Sequence, residues 1–267
     1  MAISSERTKS GDAEIAYWTM GDGPRVVLLH PFPAHHEFWL TVAKALATRY
    51  SLILPDLRGH GESGVGEGPA TMGKHATDIA HVMDDAAVGR APLIGVSIGG
   101  YVLFEFWRKH RGRVGALGLC NTKAPADGAE ARAARLAAAN DVLERGTEPF
   151  FETMIPRLLG KTTRETRPDL VEGALQMMRK MSPDDVAQVQ RGMAERPDSV
   201  ETLKTINVPT LVVTGDEDIL TGIDEAELMR SHIAGSQLRV IPKVGHYSPW
   251  ERPDQAGKIL RQFLDGL

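Results

Sequence analysis

Leu93-Ile94-Gly95-Val96-Ser97-Ile98-Gly99-Gly100 decides how this chain is read. A short apolar run ends at Ile94, a serine follows between two glycines, and Ile98–His110 is apolar nearly all round. Such a run suits a strand buried on both faces, and the longer segment suits a helix deep in a protein. Ser97 therefore sits on a sharp strand-to-helix turn, the pattern of an exposed nucleophile. The need for glycine is steric: a turn this tight requires small neighbours, which Gly95 and Gly99 supply, and Gly100 adds room. The turn lifts the Ser97 hydroxyl clear of the sheet. It also aims the Ile98 N–H, at the helix N-terminus, toward developing negative charge. A lone G-x-S-x-G also occurs as a plain helix entry, so the rest of the chain has to support the reading.

Working outward, further short apolar runs lie at Val26–Leu29, Leu52–Leu54, Ala116–Leu119, Val208–Val213 and Leu238–Ile241. Helix-like segments alternate with them at Glu37–Thr48, Thr71–Val88, Ile98–His110 and Ala256–Leu264. Strand alternating with helix predicts an α/β protein with a mostly parallel sheet and crossover helices on both faces. Arg7–Lys9 and Glu14–Thr19, around a Ser10-Gly11-Asp12 turn, predict an antiparallel hairpin at the sheet edge. Between Thr122 and Thr205 the pattern is helical only: Ala129–Arg145, Glu148–Leu159, Pro168–Met181 and Pro183–Glu195, with alanine content and N-terminal prolines to match. The expected organisation is a core of residues 1–121 and 206–267, with residues 122–205 inserted as a helical lid above the strand ends.

The strand Val26–Leu29 runs into His30-Pro31-Phe32-Pro33. The loop after this strand is expected to supply a second oxyanion donor. Proline has no N–H, so within Pro31–Pro33 only Phe32 can donate. Asp56-Leu57-Arg58-Gly59-His60-Gly61-Glu62-Ser63 reads as a structural loop, with Asp56 and Arg58 tying it by charged hydrogen bonds. His35 and His36 read as solvated loop residues. Three carboxylates, Asp216, Glu217 and Asp218, crowd the end of the strand Val208–Val213.

These segments together resemble the α/β-hydrolase fold superfamily, with weaker similarity to 3-oxoadipate enol-lactonases and carboxylesterases through Gly95–Gly100 and Leu119-Cys120-Asn121-Thr122. Pro31 stands where the family usually has glycine. The resemblance implies an acid three residues after Gly215, which is Asp218, leaving Asp216 to brace the loop. It implies a base at His246 in Val244-Gly245-His246. Serine at the elbow separates the chain from relatives that attack with an aspartate. A hydroxyl suits esters, lactones, thioesters or carbon–carbon bonds beside a carbonyl. The expected activity is hydrolysis of a small, partly apolar carboxylic ester or lactone through an acyl-enzyme, with Ser97, Asp218 and His246 catalytic and Phe32 and Ile98 as oxyanion donors. A cofactor-free perhydrolase or haloperoxidase and a carbon–carbon hydrolase share this triad, and a non-catalytic small-molecule receptor is the rival outside enzymes. Trp39, Met154 and Met178 are candidate substrate contacts, and Arg157, Arg164 and Arg179 are candidate partners for a substrate carboxylate.

Composition sets the outer limits. The 267 residues can bury about three quarters of the surface of the unfolded chain. With 31 basic against 35 acidic residues and a net charge of -4, no basic footprint for nucleic acid or anionic membrane is present. The single cysteine, Cys120, permits no internal disulfide and ends an apolar run, which suits a buried, inert thiol. Neither a zinc-spaced ligand set nor a phosphate-binding glycine loop is visible, so no metal and no cofactor are expected. The polar start Met1–Ser10 and the lack of a long apolar stretch predict a cytoplasmic protein. A homodimer formed through the lid is compatible with the sequence.

Overall fold

The computed structural model describes residues 3–267; Met1 and Ala2, the first positions of the 1–121 segment and of the polar start, lie outside them. Eight strands form one sheet: β1 (Ile3–Ser10), β2 (Ala13–Met20), β3 (Arg25–Leu29), β4 (Ser51–Pro55), β5 (Ala91–Val96), β6 (Val114–Cys120), β7 (Thr210–Gly215) and β8 (Gln237–Ile241). Their order is β1-β2-β4-β3-β5-β6-β7-β8. β1 and β2 form the expected hairpin, β2 runs antiparallel to β4, and every later pairing is parallel. Residues of β4 and β6 are buried almost throughout, so helices cover both faces of the sheet. The strand order reverses between β3 and β5, and open α/β sheets bind ligands in the crevice beyond such a point. Phe32 follows β3 and Ser97 follows β5, so both come from the two strands that flank it.

The core helices are α1 (Leu40–Leu46), α2 (Met72–Asp85) and α3 (Ile98–His110). Thr71 caps α2 by accepting the Lys74 N–H. The helix expected over Glu37–Thr48 starts as a 3-10 turn at His36–Trp39 and becomes α1 only from Leu40. His35 caps that turn.

Residues 122–205 hold six helices and no strand: α4 (Ala129–Arg145), α5 (Glu148–Leu158), α6 (Lys161–Thr166), α7 (Pro168–Met178), α8 (Pro183–Ala194) and α9 (Val200–Leu203). α4 packs along α8. Ser182 and Asp185 close a capping box at the start of α8. After β7 come α10 (Ile223–His232), α11 (Ser248–Glu251) and α12 (Pro253–Asp265), and α12 packs on α1.

β7 begins at Thr210 rather than Val208, because Pro209 cannot donate to the ladder. α6, α9, α10 and α11 have no counterpart in the expected pattern. α10 had a readable signal, acids in its first turn (Asp224, Glu225) and bases in its last (Arg230, His232), which complements the helix dipole. No helix of the described residues is long and apolar enough to cross a membrane.

Candidate active site

The turn from β5 into α3 holds Ser97 at φ 54° and ψ -114°, a left-handed backbone rare outside glycine. Its N–H donates to Cys120 O at 3.0 Å, and Thr122 Oγ1 donates to Ser97 O at 2.8 Å. A Cβ on Gly95 would lie 2.5 Å from the Gly99 carbonyl carbon, and one on Gly99 would lie 2.8 Å from Leu29 O. The glycines are therefore demanded by helix and strand backbones passing within touching distance.

Ile98 is the first residue of α3, where helix N–H groups have no helical partner. Among the described residues, neither the Ile98 nor the Phe32 N–H donates to a protein acceptor. The loop carrying Phe32 is pinned on both sides. His30 Nε2 accepts the Leu57 N–H at 2.8 Å, so Nδ1 carries the proton and donates to Pro31 O at 2.9 Å. In a trans peptide the N–H points opposite the carbonyl, so holding Pro31 O also orients the Phe32 N–H. On the other side, Tyr247 Oη donates to Phe32 O at 3.0 Å. The cis peptide of this loop is Phe32-Pro33, whereas His30-Pro31 is trans.

Asp218 follows β7 and His246 follows β8, and both are buried. His246 Nδ1 and Asp218 Oδ2 lie 2.9 Å apart. The same oxygen accepts from Asn121 Nδ2 at 2.9 Å and Thr221 Oγ1 at 2.8 Å, while Oδ1 accepts the N–H groups of Leu220 and Thr221. Burial pushes the Asp218 pKa up. The His246 ring, together with the hydrogen bonds from His246, Asn121 and Thr221, outweighs that and holds it well below the usual carboxylate range. The two neighbouring acids do other work: Asp216 Oδ1 accepts the Lys243 N–H at 2.6 Å, and Glu217 Oε2 accepts the Thr162 N–H at 2.7 Å. His232 also follows Asp218 in the chain, but its ring sits at the end of α10 against Leu228 O.

Ser97 and His246 line one cavity of about 300 Å³, which also has Phe32, Phe150, Met154 and Thr221 in its wall. Among the described residues the Ser97 hydroxyl has no protein hydrogen-bond partner. Two candidate substrate contacts lie elsewhere. Trp39 is fully buried because the 3-10 turn directs its ring against Phe38 in the core. Met178 is fully buried on the inner face of α7.

Of the three arginines, only Arg157 reaches the cavity; Arg164 donates to Leu159 O and Arg179 pairs with Glu148 and Glu172. His35 and His36 are not solvated. Both are buried, and His36 stacks on Trp18 and bonds Asp56 at 2.9 Å. His35, His36 and Glu37 bring possible ligand atoms within 4.8 Å of one another, but Asp56 already occupies His36 Nδ1 and Glu37 is exposed. Asp56 and Arg58 tie their loop as expected, Arg58 pairing with Asp78 at 2.7 Å and Asp12 at 2.6 Å.

The roles of Asn121, Thr221, His30 and Tyr247 were missed at the sequence level. The one readable trace was Asn121, a polar residue at the end of a buried strand, held at φ 43° where asparagine is tolerated.

The sequence profile described as alpha/beta hydrolase fold matches residues 24–253. This chain belongs to the α/β-hydrolase fold family. It is a hydrolase of that fold. A thermophilic esterase from Thermogutta terrifontis, solved with malate bound, is 37% identical with a TM-score of 0.95 over 98% of each chain. A hydrolase from Pseudomonas aeruginosa is 26% identical with a TM-score of 0.90, again over 98% of each chain. 3-Oxoadipate enol-lactonase 2 of Acinetobacter baylyi is 27% identical over 91% of this chain and 90% of that protein.

Proposed function

We propose that this α/β-hydrolase cleaves small carboxylic esters or lactones through an acyl-enzyme on Ser97. The observation that carries the reading is the convergence on one cavity of a serine on a strained turn and an imidazole bound at 2.9 Å to a buried carboxylate. The names of the similar esterase and enol-lactonase point to the same bond types.

In this mechanism Asp218 keeps the His246 proton on Nδ1 and stabilises the imidazolium. His246 Nε2 takes the Ser97 proton as Oγ attacks the acyl carbon. The Phe32 and Ile98 amides hold the resulting oxyanion, and His246 then protonates the leaving alcohol. Water, deprotonated by His246, attacks the acyl-enzyme, and the proton returns to Ser97 as the acid departs. The helical segment 122–205 acts as the lid of the site: Phe150 and Met154 of α5 form part of the cavity wall, and substrate choice is set there.

The test is p-nitrophenyl acetate hydrolysis by wild type and Ser97→Ala, with a fluorophosphonate label mapped by mass spectrometry. The expected result is a single label on Ser97 and a loss of turnover on the order of 10⁶ in the variant. Turnover that survives Ser97→Ala overturns the reading.

A further inference from the structure

The cavity beside Ser97 is cationic in a protein whose net charge is -4. Lys123, Arg135 and Arg157 all line it, and among the described residues the only carboxylate in its wall is Asp127. Asp127 is shared three ways: Arg135 lies 2.6 Å away, Arg196 3.0 Å and Lys123 3.2 Å. Its own side chain is 2% exposed, and its single charge is divided among one buried and two half-buried bases. Arg196 is itself buried, lies 4.2 Å over the ring of Tyr101, another wall residue, and leaves its Nε without an acceptor. Arg157 has no carboxylate partner among the described residues. One acid thus answers four bases. Such an excess in a recess with low-dielectric walls draws in an anion.

Deepening the esterase reading, on which it rests, we infer that the lid end of this cavity is a carboxylate subsite and that the preferred substrates are esters bearing a second, free carboxylate. Guanidinium groups match a carboxylate by paired, planar hydrogen bonds. Arg135 bonds Asp127 through Nε alone, at 2.6 Å, and its Nη1 reaches Gln190 at 3.2 Å. Arg157 adds a second guanidinium to the lining, from α5. Phe32, Phe150 and Met154 add apolar surface to the lining, which suits a short aliphatic link between the reacting carbonyl and the anionic end. A cavity of about 300 Å³ sits at the small end of ligand sites, which suits a compact substrate of this kind.

The experiment compares kcat/KM in two matched pairs. p-Nitrophenyl hydrogen succinate against p-nitrophenyl butyrate places the charge on the acyl side. Acetoxyacetate against its methyl ester places it on the alcohol side. The anionic member of at least one pair is expected to lead by about tenfold or more. That lead should shrink as ionic strength rises from about 0.01 M to about 0.1 M, which shortens the screening length from about 30 to about 10 Å. Arg157→Gln should cut the ratio of anionic to neutral ester by about tenfold, and Arg135→Gln likewise. Arg157 is exposed and unpaired, so its variant remains informative if loss of Arg135 disturbs folding, as judged by thermal melts. A ratio at or below one in both pairs overturns the subsite, as does a ratio that neither variant lowers. In either case, neutral-ester turnover with Ser97 labelling would leave the serine-hydrolase reading standing. Absence of both turnover and label would instead remove that reading and the subsite with it.

Discussion

Asp218 receives five hydrogen bonds, from the Leu220 and Thr221 amides, the Thr221 hydroxyl, Asn121 and His246. Such a carboxylate stays ionised and presents one oxygen to the imidazole in one direction. Under the proposed mechanism Asp218→Asn should therefore lower kcat by about 10⁴, as loss of the acid does in serine-hydrolase triads, while fluorophosphonate labelling slows in parallel. Under the same mechanism Asn121, which donates to Asp218, is a positioning residue. Asn121→Ala removes one donor from the oxygen that faces His246. The expected outcome is a kcat lower by about tenfold with KM little changed, and an acid limb of the pH–rate profile moved to higher pH. An unchanged profile would assign Asn121 to folding alone. At this scale the turn at Ser97 and the places of Asp218 and His246 after β7 and β8 were legible because each lies in a local pattern at a strand's end. Their supports were not, because Asn121, Thr221 and Tyr247 carry no pattern until β6, β7 and β8 stand side by side.

Among elements, the junction of α5 and α6 is tied to the loop that carries His246. Glu251 of α11 accepts the Gly160 N–H on one oxygen and the Gly245 N–H on the other, both at 2.9 Å. Tyr247 N–H donates to Leu158 O at 3.0 Å. The helical segment and the His246 loop therefore share one buried carboxylate. Burial pushes the Glu251 pKa up, and the two amides pull against that shift. Glu251→Ala would strand two buried N–H groups, at about 1–3 kcal/mol each. Urea denaturation should report that loss, and limited proteolysis near residues 158–161 should accelerate; unchanged cleavage would mean that the junction is held by other contacts. Element types were legible in the long periodic segments, with Ile98–His110 and Ala129–Arg145 matching to the residue. The short α9 and α11 were not, since four residues hold barely one turn of helix.

Across the molecule, buried histidines set the response to acid. His30, His60 and His75 are buried neutral; burial lowers all three, His60 to about 4. In the unfolded chain each titrates near 6.5. Between about pH 6.5 and pH 4 the unfolded state therefore binds more protons, and stability falls as pH falls. For His60 alone this is on the order of 3 kcal/mol across that window. Asp218, with its depressed folded pKa, adds a loss that begins below about pH 4, where its unfolded carboxyl takes up a proton. Urea midpoints should drop steadily from pH 7 to pH 4, and His60→Gln should flatten that slope by about one bound proton. A midpoint constant over the range would contradict it. None of this was visible in the chain, where His30 and His60 lie in loop segments and nothing local marks His75 as buried. By itself the sequence determined the strand–turn–helix at Ser97, the alternation that makes a parallel sheet and the helical nature of 122–205, because these depend on neighbours within a few residues. Only the tertiary structure decided that Trp39 and Met178 turn inward, that Asn121 bonds Asp218 and that three bases share Asp127. Those contacts join residues far apart in the chain, and their energies exist only once the sheet has brought them within hydrogen-bonding distance.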